Sequence, residues 1–347
     1  MGENERLTKI GDALDRLITV DVKARGSIPI LYNFAREKFN EPLTMLAAKR
    51  LKERVTKRSV VLIATGWPDR PWINPAIAEL DGPPGAAALA RGLHIGLNAV
   101  PIVLIEQQLT EAMKACLTGA GFRIMEAPEA VAAISSPSPI HGCAVLPFPV
   151  DRQKAQERAF ELIETFSPTA VIAIEKGGMN EKGVIHNSRG VDTTADMAKV
   201  DMLMEAAAAK NILTIGIGDG GNEIGMGTIG EVIRKHIPYG AKCQCPCGGG
   251  LAPATVTDAV VPATVSNWGA YGILAALAVL SKSSAILHDP RVEARILRMG
   301  ADAGLIDGMT GFCIPGADGM EDGMHMAMIT LLSGVVEAAI SPGYLSR

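Results

Sequence analysis

The densest run of ligand-bearing residues in this chain is GIGDGGNEIGMG, Gly216–Gly227. Asp219, Asn222 and Glu223 put three oxygen-bearing side chains into one short loop, and the surrounding glycines let the backbone approach a ligand closely. Hard oxygens on a flexible loop suit Mg2+, Mn2+ or Ca2+. Gly216–Gly221 also fits the GxGxxG spacing of a dinucleotide loop. Asp219 and Glu223 would then face pyrophosphate, which is electrostatically wrong without an intervening cation. A plain glycine turn with capping Asp and Glu is the remaining alternative.

Three further clusters carry potential chemistry. In Glu175–Asp196, Glu175, Lys176, His186, Asn187 and Asp192 can supply an acid, a base and amide donors to one pocket. Asp192, with Thr193 and Thr194, also reads as the cap of a helix beginning near Ala195. In Glu79–Leu93, Pro83, Pro84 and Gly85 open a small-residue helix, and Asp81 can cap it or hold a ligand amine. The N-terminus of that helix would attract a carboxylate or phosphate. Cys243, Cys245 and Cys247 resemble a soft-metal loop but lack the partner pair of a structural zinc site, so free thiols are the expectation. The acids and His325 between Asp307 and His325 read as an ordinary acidic helix start.

These residues must be positioned by something, and the texture of the chain says what. Short β-branched runs occur at Val60–Ala64, Val100–Ile105, Phe122–Met125, Cys143–Leu146, Ala170–Ile174, Ile212–Ile217 and Ala259–Val265, with helix-like stretches between most of them. That alternation predicts an α/β fold: a mostly parallel sheet with helices on both faces, a helical N-terminal segment (1–58) and a helical C-terminal third, with 59–347 as the α/β domain. Ligands of such sheets bind beyond the carboxyl ends of the strands. There the sequence places Thr65 and Gly66, Glu106, Glu175, the Asp219 loop, and Ser266 with Asn267.

Composition excludes several classes. The 347 residues are 48% hydrophobic with only 4% aromatic, so the core is expected from Ala, Val, Ile, Leu and Met, and disorder is ruled out. A net charge of −4 without a basic stripe argues against nucleic acid. Ala259–Ser281, the longest uncharged run, contains Pro262 and several glycines, and reads as a buried strand, turn and helix rather than a membrane span. The acidic start lacks a secretory signal, and six scattered cysteines make no disulfide framework, so a reducing cytoplasm is expected. The apolar C-terminal helix suits either the core or a homo-oligomer interface.

Together, DGPPGAAALARGL (Asp81–Leu93), EKGGMNEKGVIHNSRGVD (Glu175–Asp192), GIGDGGNEIGMG (Gly216–Gly227) and VSNWGAYG (Val265–Gly272) resemble the D-glutamate cyclase-like C-terminal domain family. The resemblance implies a lyase that converts D-glutamate to 5-oxo-D-proline with loss of water. Longer members carry an additional N-terminal domain, and a stand-alone archaeal relative is a manganese-dependent phosphatase. Carried onto this chain, it suggests a divalent cation (Mn2+ or Mg2+, or else Ca2+) held by Glu175, Asp219 and Glu223, with His186 moving protons. Lys176 and the Gly85 helix would grip the α-carboxylate of a small-molecule substrate, with Thr65, Gly66, Asp81, Asn187, Asn222, Ser266 and Asn267 around it. Phosphatase action on a small ester, and ligand binding without catalysis, are the alternatives.

Overall fold

The computed structural model describes residues 2–341. Three helices, α1 (Glu3–Ile18), α2 (Ser27–Phe39) and α3 (Leu43–Arg54), precede the first strand, β1 (Val60–Ala64). Then follow α4 (Pro83–Leu97), β2 (Val100–Ile105), α5 (Thr110–Gly119), β3 (Arg123–Ile124), α6 (Ala127–Ala133) and β4 (Gly142–Pro147). The second half runs α7 (Arg152–Phe166), β5 (Ala170–Ile174), α8 (Asp201–Ala209), β6 (Leu213–Gly218), α9 (Gly230–His236) and β7 (Ala259–Pro262). It ends with α10 (Ser266–Ser281), α11 (Pro290–Asp302) and α12 (Asp322–Ile340).

Seven strands form one parallel sheet in the order β3-β4-β2-β1-β5-β6-β7, and Gly316–Ala317 pairs antiparallel with Met320–Glu321 in a separate short hairpin. The chain starts in the middle with β1, grows outward through β2, and later returns to β1's other side with β5. The strand order therefore reverses between β1 and β5, which opens a crevice at their carboxyl ends. Register aligns those ends: Ala64 lies opposite Ala173, Ile174 opposite Ile217, and Gly218 opposite Pro262. The residues that follow each strand thus emerge side by side.

Both faces of the sheet are covered, so its strands are continuously apolar rather than alternating. Successive side chains still point to opposite sides. Val61, Ile63, Ile172, Ile174, Ile215 and Ile217 join the core beneath α3, α4 and α10, whereas Val60, Leu62, Ala64, Val171 and Ala173 join the core beneath α7 and α8. The N-terminal helices share the first of these cores through Leu14, Ile18, Leu31 and Leu43. The Ala259–Ser281 run is a buried strand, turn and helix: α10 is buried from Ser266 to Val279 and is apolar on every side. It packs on α4, where Gly92 lets the two helices meet: a Cβ there would lie 2.2 Å from Leu274 Cδ2.

Two helix boundaries differ from the sequence reading. The stretch expected to be helical from Ala195 becomes helical only at Asp201, and the helix-like stretch Glu223–His236, which the sequence also offers between its last two strand-like runs, starts at Gly230. Residues 195–200 instead carry turns, and 223–226 carry bridges that lead into a 3-10 helix at Gly227–Ile229. One described helix, α12, is long and apolar enough to cross a membrane. Its Met328, Ile329, Leu332 and Val336 belong to the core.

Candidate active site at the strand ends

Three carboxylates from three different segments converge where the strands end. Asp81, Glu175 and Asp219 each present an oxygen within 4.8 Å of the others. Glu175 is the first residue after β5 and Asp219 the first after β6, so parallel register alone brings these two together. Asp81 arrives from the loop before α4. Glu175 adopts a φ of 42°, a left-handed conformation that a residue with a side chain avoids unless its surroundings impose it. The Ser266 hydroxyl donates to its Oε2.

Asp81 and Asn267 cap each other's helices. Asp81 accepts the backbone N–H of Ser266 (2.9 Å) and Asn267 (3.0 Å) at the start of α10. Asn267 Oδ1 in turn accepts Gly82 N–H (3.0 Å) and Gly85 N–H (2.7 Å) at the start of α4, and its Nδ2 donates to the Leu80 carbonyl. Asp81 therefore caps a helix far away in sequence rather than the one it precedes. The expected anion site at the Gly85 helix is corrected as well: that N–H is satisfied internally, and a Cβ at Gly85 would lie 2.6 Å from Ile174 and 2.8 Å from Asn267. Thr65 Oγ1 and the Glu175 side chain both abut Gly82, and the buried Thr65 hydroxyl has no partner among the described residues.

Glu223 holds the loop together instead of facing the cluster as a free ligand. Its Oε1 accepts the N–H groups of Asp219 (3.2 Å) and Gly220 (2.6 Å), and its Oε2 that of Gly221 (2.8 Å). In the convergent triad its expected place is taken by Asp81. Lys176 is also elsewhere than expected: fully buried, its ammonium donates to the Gly66 carbonyl (2.7 Å) and pairs with Glu106. Burial pushes the Lys176 ammonium below the usual lysine range, against the pull of Glu106. Held by Gly66 and Glu106, Lys176 does not line the carboxylate cavity.

His186 is the largest displacement from the expected site. Its ring faces Cys245 and Cys247, with Nε2 3.2 Å from Cys245 Sγ, and not the carboxylates. Burial lowers its pKa, opposed by Asp192 and the Val184 carbonyl. Its own carbonyl accepts from Asn222 Nδ2 (2.8 Å). Asp192 accepts the Thr194 N–H (2.8 Å) within a turn, so it caps no helix. Asn187 Oδ1 closes a turn onto Arg189 and Val191. His325 is buried in the core, accepting from Trp268 Nε1 (3.0 Å).

Glu175 and Asp219 open into a cavity of about 430 Å3 lined by both acidic and basic side chains. Glu79, Glu175, Asp219, Glu223 and Asp318 are among its acids, Arg25, Arg70 and Arg189 are its arginines, and Trp67 and Trp72 also line it, with Asn187 and Asn222. The sequence reading missed Glu79, the three arginines and both tryptophans. Trp67, Asp69 and Arg70 could have been suspected, because they follow Thr65 and Gly66 at the end of β1; Arg25 has no such signal.

Crowded acids in a desolvated pocket resist ionisation. Desolvation, then the charge of Asp318, pushes Asp81 up to about 7, against three backbone N–H groups that favour its anion. Glu175 is raised well above the carboxylate range by burial and then by Glu223, Asp81 and Glu79. Asp219 is raised likewise, by burial and then Asp318 and Glu175, and Glu79 by burial and then Asp318 and Asp81. Such a cluster is relieved either by protons or by a bound cation. An all-oxygen donor set of this kind, with an orphan hydroxyl beside it, fits a hard divalent ion.

Comparison with known proteins agrees with the sequence resemblance. A family model described as D-glutamate cyclase-like, C-terminal, matches residues 14–333. The D-glutamate cyclase, mitochondrial, of Homo sapiens is 30% identical over 226 residues, covering 63% of this chain and 33% of the human protein. The chain thus spans about a third of the length of that relative.

Proposed function

The chain belongs to the D-glutamate cyclase-like C-terminal family, and from that we propose that it interconverts D-glutamate, or a closely related small amino-dicarboxylate, and the lactam 5-oxo-D-proline. The observation that carries the reading is the convergence of Asp81, Glu175 and Asp219, the last two lining a cavity that also presents three arginines. Such a pocket offers both charges the substrate requires: carboxylates for its ammonium and a metal, and guanidinium groups for its carboxylates.

Ring closure joins the α-nitrogen to the distal carboxyl carbon. The C–N bond forms, one C–O bond breaks, and the two protons that leave the ammonium depart with that oxygen as water. Asp81, Glu175 and Asp219 would hold a divalent cation such as Mn2+ or Mg2+, which when bound polarises the carboxyl and offsets its developing negative charge. The proton carrier must be a group outside this triad. Glu79 fits best: it lines the cavity, and burial with its acidic neighbours raises its pKa well above the usual carboxylate range, which favours its protonated form. It replaces His186 in that role. Arg25, Arg70 and Arg189 orient the carboxylates so that the flexible chain folds into its ring-closing pose. The same reading puts the enzyme in a reducing compartment such as the cytoplasm, in keeping with six free cysteines.

Phosphate-ester hydrolysis is the second reading, because three arginines in a cavity with metal-binding carboxylates also suit a phosphoryl group. Incubation of the purified protein and Mn2+ or Mg2+ with D-glutamate, with 5-oxo-D-proline, and with a generic phosphate ester separates the two. Interconversion in the first pair, lost in Asp219→Asn, is the expected result. Folded, metal-loaded protein that converts neither compound but releases phosphate would replace the cyclase reading with the phosphatase one.

A further inference from the structure

A second constellation lies apart from the carboxylate triad. Cys243, Cys245, Cys247 and His186 each offer a soft or borderline donor atom, and these four atoms all lie within 4.8 Å of one another. Cys243 Sγ is 3.5 Å from Cys245 Sγ and 3.4 Å from Cys247 Sγ. His186 Nε2 is 3.2 Å from Cys245 Sγ and 3.6 Å from Cys247 Sγ. A tetrahedral zinc ion with ordinary bond lengths sets its ligands ~3.8 Å apart for two sulfurs and ~3.6 Å apart for sulfur and nitrogen. These four separations therefore already stand within a few tenths of an ångström of the spacing that zinc requires. An iron–sulfur cluster, with several irons between its cysteines, needs them much further apart.

We propose that Cys243, Cys245, Cys247 and His186 form a structural Cys3His zinc site. Its four protein ligands leave no open position, which is the pattern of a structural rather than a catalytic centre. The surroundings suit thiolates: Gly249 N–H (3.4 Å) and Asn180 Nδ2 (3.6 Å) both point at Cys247 Sγ, and Asn180 is itself anchored on the Gly250 carbonyl (2.7 Å). The fold also has a use for a staple here. Residues 237–258, between α9 and β7, contain no helix or strand, and long irregular segments need some other source of order.

The ion would tie this segment to the wall of the carboxylate cavity. The His186 carbonyl accepts from Asn222, and Gln244 N–H donates to the Gly190 carbonyl (2.9 Å), so the loop from His186 to Gly190 is clasped at both ends. That loop carries Asn187, Ser188 and Arg189, which line the cavity. The site is a positioning device for that wall and does not depend on which reaction the cavity performs.

Elemental analysis of the purified full chain tests this directly. Stoichiometric zinc is expected, retained in Asp219→Asn and in the control Cys313→Ser but lost in Cys245→Ser and Cys247→Ser. The cysteine variants should also melt earlier and be cleaved more readily near Arg189. Should they fail to fold, mercurial titration of the wild-type thiols must release zinc in step with thiol modification. Cobalt substitution should give a thiolate charge-transfer band and tetrahedral ligand-field bands. Metal-free protein with a disulfide among the three cysteines, a visible iron–sulfur chromophore, or zinc lost with Asp219→Asn instead would overturn the proposal.

Discussion

At the scale of single residues, two acids in one loop have opposite physical roles. Asp219 is raised by burial and by its acidic neighbours, so the folded protein pays for its negative charge unless a cation is present. The Glu223 carboxyl already accepts three backbone N–H groups. Asp219→Asn should therefore raise the melting temperature of the metal-free protein while removing the stabilisation by Mn2+ and lowering activity ~100-fold or more. Glu223→Gln should do the reverse to stability, costing about 1.5–3 kcal/mol, because its amide cannot accept all three bonds. Denaturant melts of both variants, with and without metal, check the contrast. Equal destabilisation by the two would show that Asp219 is a structural cap like its neighbour.

At the scale of elements, the site depends on how closely α4 approaches α10 and the sheet. Both helices are built from small residues, and their starts interlock through Asp81 and Asn267. Gly92→Val should destabilise the fold by about 1–3 kcal/mol, because even its Cβ would meet Leu274 and the Ile286 carbonyl. Asn267→Ala should cost about 1 kcal/mol or more through the lost α4 cap, and should also loosen Asp81. Chemical denaturation measures the first effect. For the second, the loss of metal-induced stabilisation should exceed the loss of stability, which a purely structural cap would not produce.

For the molecule as a whole, the acidic cluster governs how stability depends on pH. Asp81, Glu79, Glu175 and Asp219 all have folded pKa values above their ordinary ones. The folded state then holds more protons than the unfolded state between the two sets of values. The stability these groups contribute is full below the ordinary carboxylate range and is lost as pH rises through the folded values, about 7 for Asp81. Metal-free protein should accordingly melt at lower temperature as pH rises from about 5 to 8, and Mn2+ should restore more stability at the upper end. A melting temperature of the chelated protein that climbs with pH over that window would contradict the crowding argument. The cavity is also an assembly of the whole chain: Arg25 and Ser27 come from the N-terminal helical segment, and Asp318 from the approach to α12.

Much of this architecture is legible in the sequence. Buried parallel strands announce themselves as short β-branched runs, and the residues just after them, Thr65, Glu175, Asp219 and Ser266, are local information that sheet register carries directly into proximity. What only tertiary structure decided is which of several chemically equivalent groups is free to act. Glu223 and Asp81 are both acids in glycine-containing loops, but the backbone N–H groups around each determine its role, and those depend on how loops close. His186 and the three cysteines are separated by most of β6, α8, α9 and a long loop, so no spacing rule links them. Their meeting is a property of the folded chain, where packing rather than sequence distance sets which donors share one small volume.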